Sequence, residues 1–279
     1  MFQFRKRRGL WGWASFSVLT VLIVATLGSL TPSSASLAQE GERIVTLGED
    51  LTTAQENEVL RLLGASRQDR IITVTSQETS EGSRGIIEIP PGTPAISSTS
   101  IVCRPEGSGI DVRTQNIEEV TAGMYAQSLL TAGITDADVR VVAPSDAPAE
   151  GLTALTGIFK AYRQSPCVGG ELDPQRERLA QRELATTVEL GEALGDREAA
   201  TEVVLETQEQ VVSRKLRSRD EIAQVVDAQL RNRGGGDVPA DERNRLIDLM
   251  VDLGSPNVDW GGYSQGWTLQ RENRNQVRI

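Results

Sequence analysis

The 279-residue chain contains no histidine, and this absence excludes more chemistry than any residue present supplies. Without an imidazole there is no Ser-His-Asp or Cys-His nucleophile pair and no histidine-bearing zinc site. Beyond residue 38, lysine stands only at Lys160 and Lys215, which leaves little for Ser-Lys or Schiff-base catalysis. Ser213 is two positions from Lys215, a spacing that separates them around a helix, so both read as surface residues. Gly107-Ser-Gly109 lacks the third glycine of a dinucleotide fingerprint, and Gly234-Gly235-Gly236 reads as a linker between helices. Carboxylate chemistry is what remains, yet with 39 acidic residues spread along the chain no pair stands apart. Asp111, Asp136 and Asp138 lack the loop spacing and central glycine of an EF-hand. The expectation is no catalytic residue, no metal and no cofactor.

Binding chemistry has a few more candidates. Thr114 and Asn116 end a predicted strand just before a helix, where polar side chains can meet a ligand at a sheet edge; equally, they cap and turn the chain. Ser97, Ser98, Thr99 and Ser100 offer hydroxyls to a glycan, although alternating hydroxyls more often mark a solvated strand face. Trp260 and Trp267 suit either an aromatic platform for a sugar or partner, or a pin holding the tail to the body. Cys103 and Cys167 are the only cysteines. In an oxidising compartment they can pair across a loop of about 65 residues, worth roughly 4 kcal/mol at best. Two separate buried thiols are the alternative.

The elements that position these residues fall into two halves. In the first, short β-branched runs at residues 44–47, 71–75, 86–89, 95–103, 110–114 and 139–142 alternate with helical patterns at 53–63, 121–131 and 152–163. Thr53 to Glu56 spells a capping box, and Gly64 stops the helix it opens. The runs at 95–103 and 110–114, joined by Pro105 to Gly109, read as an antiparallel pair. In the second half, Asp173-Pro174, Asp196 and Ser218 to Glu221 open successive amphipathic helices, and Leu246, Leu249, Met250 and Leu253 face a last one. The resulting expectation is an α+β fold: a small mixed or antiparallel sheet with helices over residues 40–168, an all-α region over 171–254 and an irregular tail from 255 to 279.

Residues 1–38 stand apart. Arg5, Lys6, Arg7 and Arg8 precede a charge-free run from Gly9 to Gln39 with an apolar centre at Val18 to Leu27 and small residues from Ser33 to Ala38. That is the layout of an export signal, cut after Ala38 or Ala35. The apolar run is also about twenty residues, long enough to cross a bilayer of roughly 30 Å as an uncleaved anchor. Arg7-Arg8 additionally matches a twin-arginine pattern. Either topology places the remainder outside the cytoplasm. Loss of residues 1–38 removes four of 29 basic groups and none of 39 acidic ones, leaving a net charge of −14. Such a charge disfavours nucleic acid and anionic lipid as partners, with membrane contact only through an uncleaved leader.

Several segments together carry a family resemblance: Val45 to Thr52, Ala95 to Ser98, Gly109 to Asn116, Ala132 to Val139, Leu155 to Tyr162 and Glu183 to Gly191. They are similar to the YpuA-like family of exported bacterial proteins of unknown function, over most of residues 43–253. The resemblance implies export and an envelope context, and supplies no catalytic residues. Two departures stand out. Gln77 to Gly85 looks less helical than the family implies, and the two cysteines are not part of its usual pattern.

Taken together, the residues favour a non-catalytic module that binds an envelope component, either a protein or a cell-wall glycan. A glycan hydrolase using two carboxylates and a self-associating structural protein are the alternatives.

Overall fold

A computed structural model describes residues 41–164, 171–258 and 260. The leader, Cys167, Trp267 and most of the tail lie outside the described residues, so expectations resting on them have no structural counterpart here. The fold is α+β, with the strands in the amino-terminal half and helices throughout the carboxy-terminal one.

Five strands form one mixed sheet: β1 (Arg43–Gly48), β2 (Arg70–Val74), β3 (Ser98–Cys103), β4 (Ile110–Gln115) and β5 (Ala137–Val142), in the spatial order β2-β1-β3-β5-β4. Parallel pairs β1/β2 and β4/β5 flank the central β3, which runs antiparallel to both its neighbours. Parallel neighbours need a crossover. Helix α1 (Thr53–Leu63) links the first pair and α3 (Ala122–Ala132) the second. The predicted β3/β4 hairpin is therefore wrong: β5 stands between the two strands. Local sequence marks a strand but does not say which partner, here 34 to 44 residues on, will outcompete the neighbouring one.

Helix α2 (Ser76–Ser83) is a second correction, since Gln77 to Gly85 looks less helical than the family implies. Its apolar content is negligible, and it is held by a capping box in which the Thr75 hydroxyl accepts from Glu78 N while the Glu78 side chain accepts from Thr75 N. Lys160 Nζ then donates to both Glu78 Oε1 at 2.5 Å and Thr73 O at 2.7 Å, tying α2 to α4 (Ala154–Gln164). Residues 86–89, expected as a strand, are irregular. The capping box of α1 is formed by Thr52 and Gln55, one position earlier than predicted, and Gly64 ends the helix in the left-handed region at φ 64°. Ser218 does occupy the N-cap of α7 (Arg219–Asn232), with no side-chain cap hydrogen bond.

The two faces of the sheet are covered unequally. Ile44, Ile101, Val139 and Val141 pack beneath α3 and α4 with Met124, Leu129, Leu130, Leu155, Ile158 and Phe159. On the other face Val45, Leu47 and Val142 pack against Val59, Leu60 and Leu63 of α1 alone. The remaining helices, α5 (Pro174–Leu194), α6 (Arg197–Ser213), α7 and α8 (Ala240–Leu253), enclose a core of Val203, Val204, Ile222, Val226, Leu246 and Leu249. Helix α5 serves both cores: Ala180, Leu184 and Val188 meet the sheet-side cluster, Leu179 and Leu190 the helical one. No helix among the described residues is long and apolar enough to cross a membrane.

Candidate functional site

The hydroxyls of β3 are the first expectation to change. Ser98, Thr99 and Ser100 are buried, because β3 is the central strand with helices on both sides of it. Thr99 Oγ1 shares a 2.6 Å hydrogen bond with Thr46 Oγ1, beneath Gly157 of α4. These groups are not available to a glycan.

Thr114 and Asn116 sit at the carboxyl end of β4, a position that in open α/β sheets borders a ligand crevice. Here the β4–α3 and β5–α4 loops are stitched together. Asn116 adopts φ 58° and its Nδ2 donates to Ala143 O at 2.9 Å, while its own carbonyl accepts from Ala149 N. Ile117 bridges to Ala149, and Tyr125 Oη donates to Gly151 O at 2.6 Å. Asn116 thus turns and ties the chain. Thr114 stays half-buried in β4, opposite Val141. Trp260 donates from Nε1 to Leu253 O at 3.1 Å, and the Arg176 guanidinium lies 5.2 Å from its ring centroid. Arg176 also donates to the Leu130 and Thr131 carbonyls at the end of α3, so Trp260 lies against the anchored body of the protein. Cys103 ends β3, half-buried, and is not a free thiol.

The aspartates weighed for calcium are each engaged elsewhere. Asp136 accepts from Gly109 N at 2.8 Å and from Thr135 Oγ1; Asp138 pairs with Arg104, and Asp111 with Arg113.

The group that sequence reasoning passed over is Glu183. It lies on α5 at 1% exposure, beside the buried Gln127 and Thr131 of α3, which Gln208 of α6 also meets. Gln208 Nε2 donates to Thr131 Oγ1 at 2.9 Å. Neither Glu183 carboxyl oxygen has a hydrogen bond of ordinary geometry, although Thr131 and Gln127 are close enough to favour the anion. Burial outweighs them and pushes the carboxyl up to about 7. The uncharged acid is thus the form the surroundings favour up to neutral pH. A signal for it existed: positions 179, 180, 183, 184, 187 and 188 trace one buried stripe of α5, and a glutamate in the middle of such a stripe is a desolvated one.

A second carboxylate group is open to solvent. Glu118 and Glu119 precede α3, Glu150 precedes α4 and Glu192 ends α5. Partial burial raises the Glu119 carboxyl, and the charges of Glu150 and Glu192 push it further up against the pull of Arg197.

Residues 47–268 match the family described as "Protein of unknown function (DUF1002)". The chain is also 32% identical to "Uncharacterized protein YpuA" of Bacillus subtilis (strain 168) over 246 residues, covering 88% of this chain and 83% of that protein. It belongs to the DUF1002 family. No solved structure matches it. The DUF1002 match spans all five strands except the start of β1, and every helix from α1 to α8. Glu183 and the stitched β4–α3 and β5–α4 loops therefore lie within the family region.

Proposed function

We propose that this DUF1002 protein is exported and binds another component of the cell envelope, a protein or a glycan, without turning it over. The observation that carries the reading is the amino-terminal pattern: Arg5 to Arg8, an apolar run free of charge, and small residues up to Ala38. The carboxyl best tuned for proton transfer gives further support, because Glu183 at 1% exposure is out of reach of a substrate. In the same compartment Cys103 pairs with Cys167, the only other cysteine in the chain.

The test is a cross-linking pull-down of full-length protein from its native envelope, with intact-mass analysis of the recovered chain. One saturable partner, a mass lacking residues 1–38 or retaining them at the membrane, and two hydrogens fewer than the reduced chain are the expected results. An empty pull-down, or recovery from the cytoplasm, overturns the reading.

The open carboxylates favour one alternative, a glycan hydrolase with Glu119 as its acid. Incubation with peptidoglycan decides it: turnover lost in Glu119→Gln would replace the binding reading with an enzyme.

A further inference from the structure

The face of the sheet that α1 covers only in part carries two arginines, Arg43 and Arg140, that are incompletely paired among the described residues. Strand register places Val45, Ser100, Arg140 and Arg113 in one row across it, and Arg43, Val102, Asp138 and Asp111 in the next. Both aspartates have partners, Asp138 in Arg104 at 3.2 Å and Asp111 in Arg113 at 2.9 Å. That leaves Arg43 and Arg140, two strands apart, whose long side chains converge on the exposed last turn of α1. Measured from where a side chain at Gly64 would begin, Arg140 Nη1 is 2.9 Å away and Arg43 Nη1 is 3.6 Å away.

Neither guanidinium is satisfied there. Arg43 donates one Nη1 hydrogen to Gly64 O, but its Nε is shielded from water and has no acceptor. Asp69 is close enough to Arg43 to feel its charge, yet its Oδ2 already accepts from Ser66 N and Ser66 Oγ. Arg140, half-buried, makes no hydrogen bond or ion pair among the described residues. The carbonyls at the end of α1 offset part of this positive charge, but two guanidiniums this close, one of them with a buried donor unmet, gain further from a shared anion that bridges them. Gly64 lets the two guanidiniums come this close: a side chain there would begin 2.9 Å from Arg140 Nη1 and would be strained at φ 64°.

We propose that Arg43 and Arg140 form an oxyanion site at the carboxyl end of α1, taking a phosphate group between two guanidinium forks. In a chain of net charge −10 this is a local inversion of sign, and it favours a ligand whose phosphate is presented on a neutral or extended body over a compact polyanion. The site deepens the binding reading above and rests on it only for what carries the phosphate, either free phosphate or a phosphodiester polymer of the envelope.

Calorimetric titration of the full-length protein at low salt tests it, first with inorganic phosphate and then with poly(glycerol phosphate). Saturable uptake of phosphate is expected, weakened about tenfold or more in Arg140→Gln and less in Arg140→Lys, which keeps the charge but loses the planar fork. Arg182→Gln, on α5 and paired with Asp252, should bind as the parent does. A gain for the polymer beyond its number of phosphates assigns a polymeric source, and equal affinity per phosphate assigns the free ion. Absence of saturable uptake, or equal affinity in the parent and both Arg140 variants, overturns the site. The titration does not use a native partner, so an empty pull-down beside intact phosphate binding would overturn the envelope reading and leave the arginine site standing.

Discussion

At the scale of single residues, Glu183 makes a prediction of definite sign. Its folded carboxyl sits at about 7 against an ordinary 4.5, so between those values the native state keeps a proton that the unfolded chain has released. The contribution of Glu183 to stability therefore declines as pH rises from about 4.5 to about 7 and is level above. The amount is on the order of 3 kcal/mol. Replacing Glu183 with Gln removes the titrating group, and the variant's melting temperature should exceed the parent's by roughly 6–12 °C at pH 8 and approach it near pH 4.5. Thermal melts of both proteins at the two pH values check this; a difference between parent and variant that does not change across the window would mean that the carboxylate is solvated. Residue types told part of this story in advance. The absence of histidine limited the chemistry before any fold was known, whereas the role of Asn116 depended on an αL turn and a carbonyl from a loop nearly thirty residues away.

At the scale of elements, the helices were the more legible half because their signals are local. Asp173 before Pro174, Thr121 before α3 and glycines at 64, 133 and 195 mark ends through capping chemistry that the next few residues complete. Helix α2 escaped notice because nothing apolar repeats in it; its stability comes from Thr75, Glu78 and the distant Lys160. Thr75→Ala should therefore cost about 1 kcal/mol, read as a lower urea midpoint at unchanged slope. The sheet was least legible, since β-propensity does not encode order. Close approach at the end of β1 is testable at Gly48, where an added Cβ would stand inside the contact distance of the Ala95 carbonyl. Asp50 fixes that junction by accepting from Ala95 N at 2.7 Å and Ser76 Oγ at 2.8 Å. The backbone cannot yield without breaking these bonds, so Gly48→Ala should destabilise by about 1–3 kcal/mol in the same urea measurement.

At the scale of the whole molecule, the pairing proposed for Cys103 and Cys167 would close a loop holding β4, α3, β5 and α4. Cys103→Ser should then lower stability by up to about 4 kcal/mol in oxidised protein and by far less under reducing conditions; equal losses in both would mean that only packing at residue 103 was disturbed. The loop matters because of the strand order. A chain growing from its amino terminus can pair β1 with β2 and then lay down β3, but one side of β3 has no partner until residue 142 has been made. Emerging β4 gives no relief, as its place is at the far rim beyond β5. During synthesis at about 5–20 residues per second, the run Ser98–Cys103 is for some seconds an open template, bare along one edge and able to recruit any extended strand nearby. The architecture thus sets a deadline for the nascent chain: that edge stays open until β5 arrives.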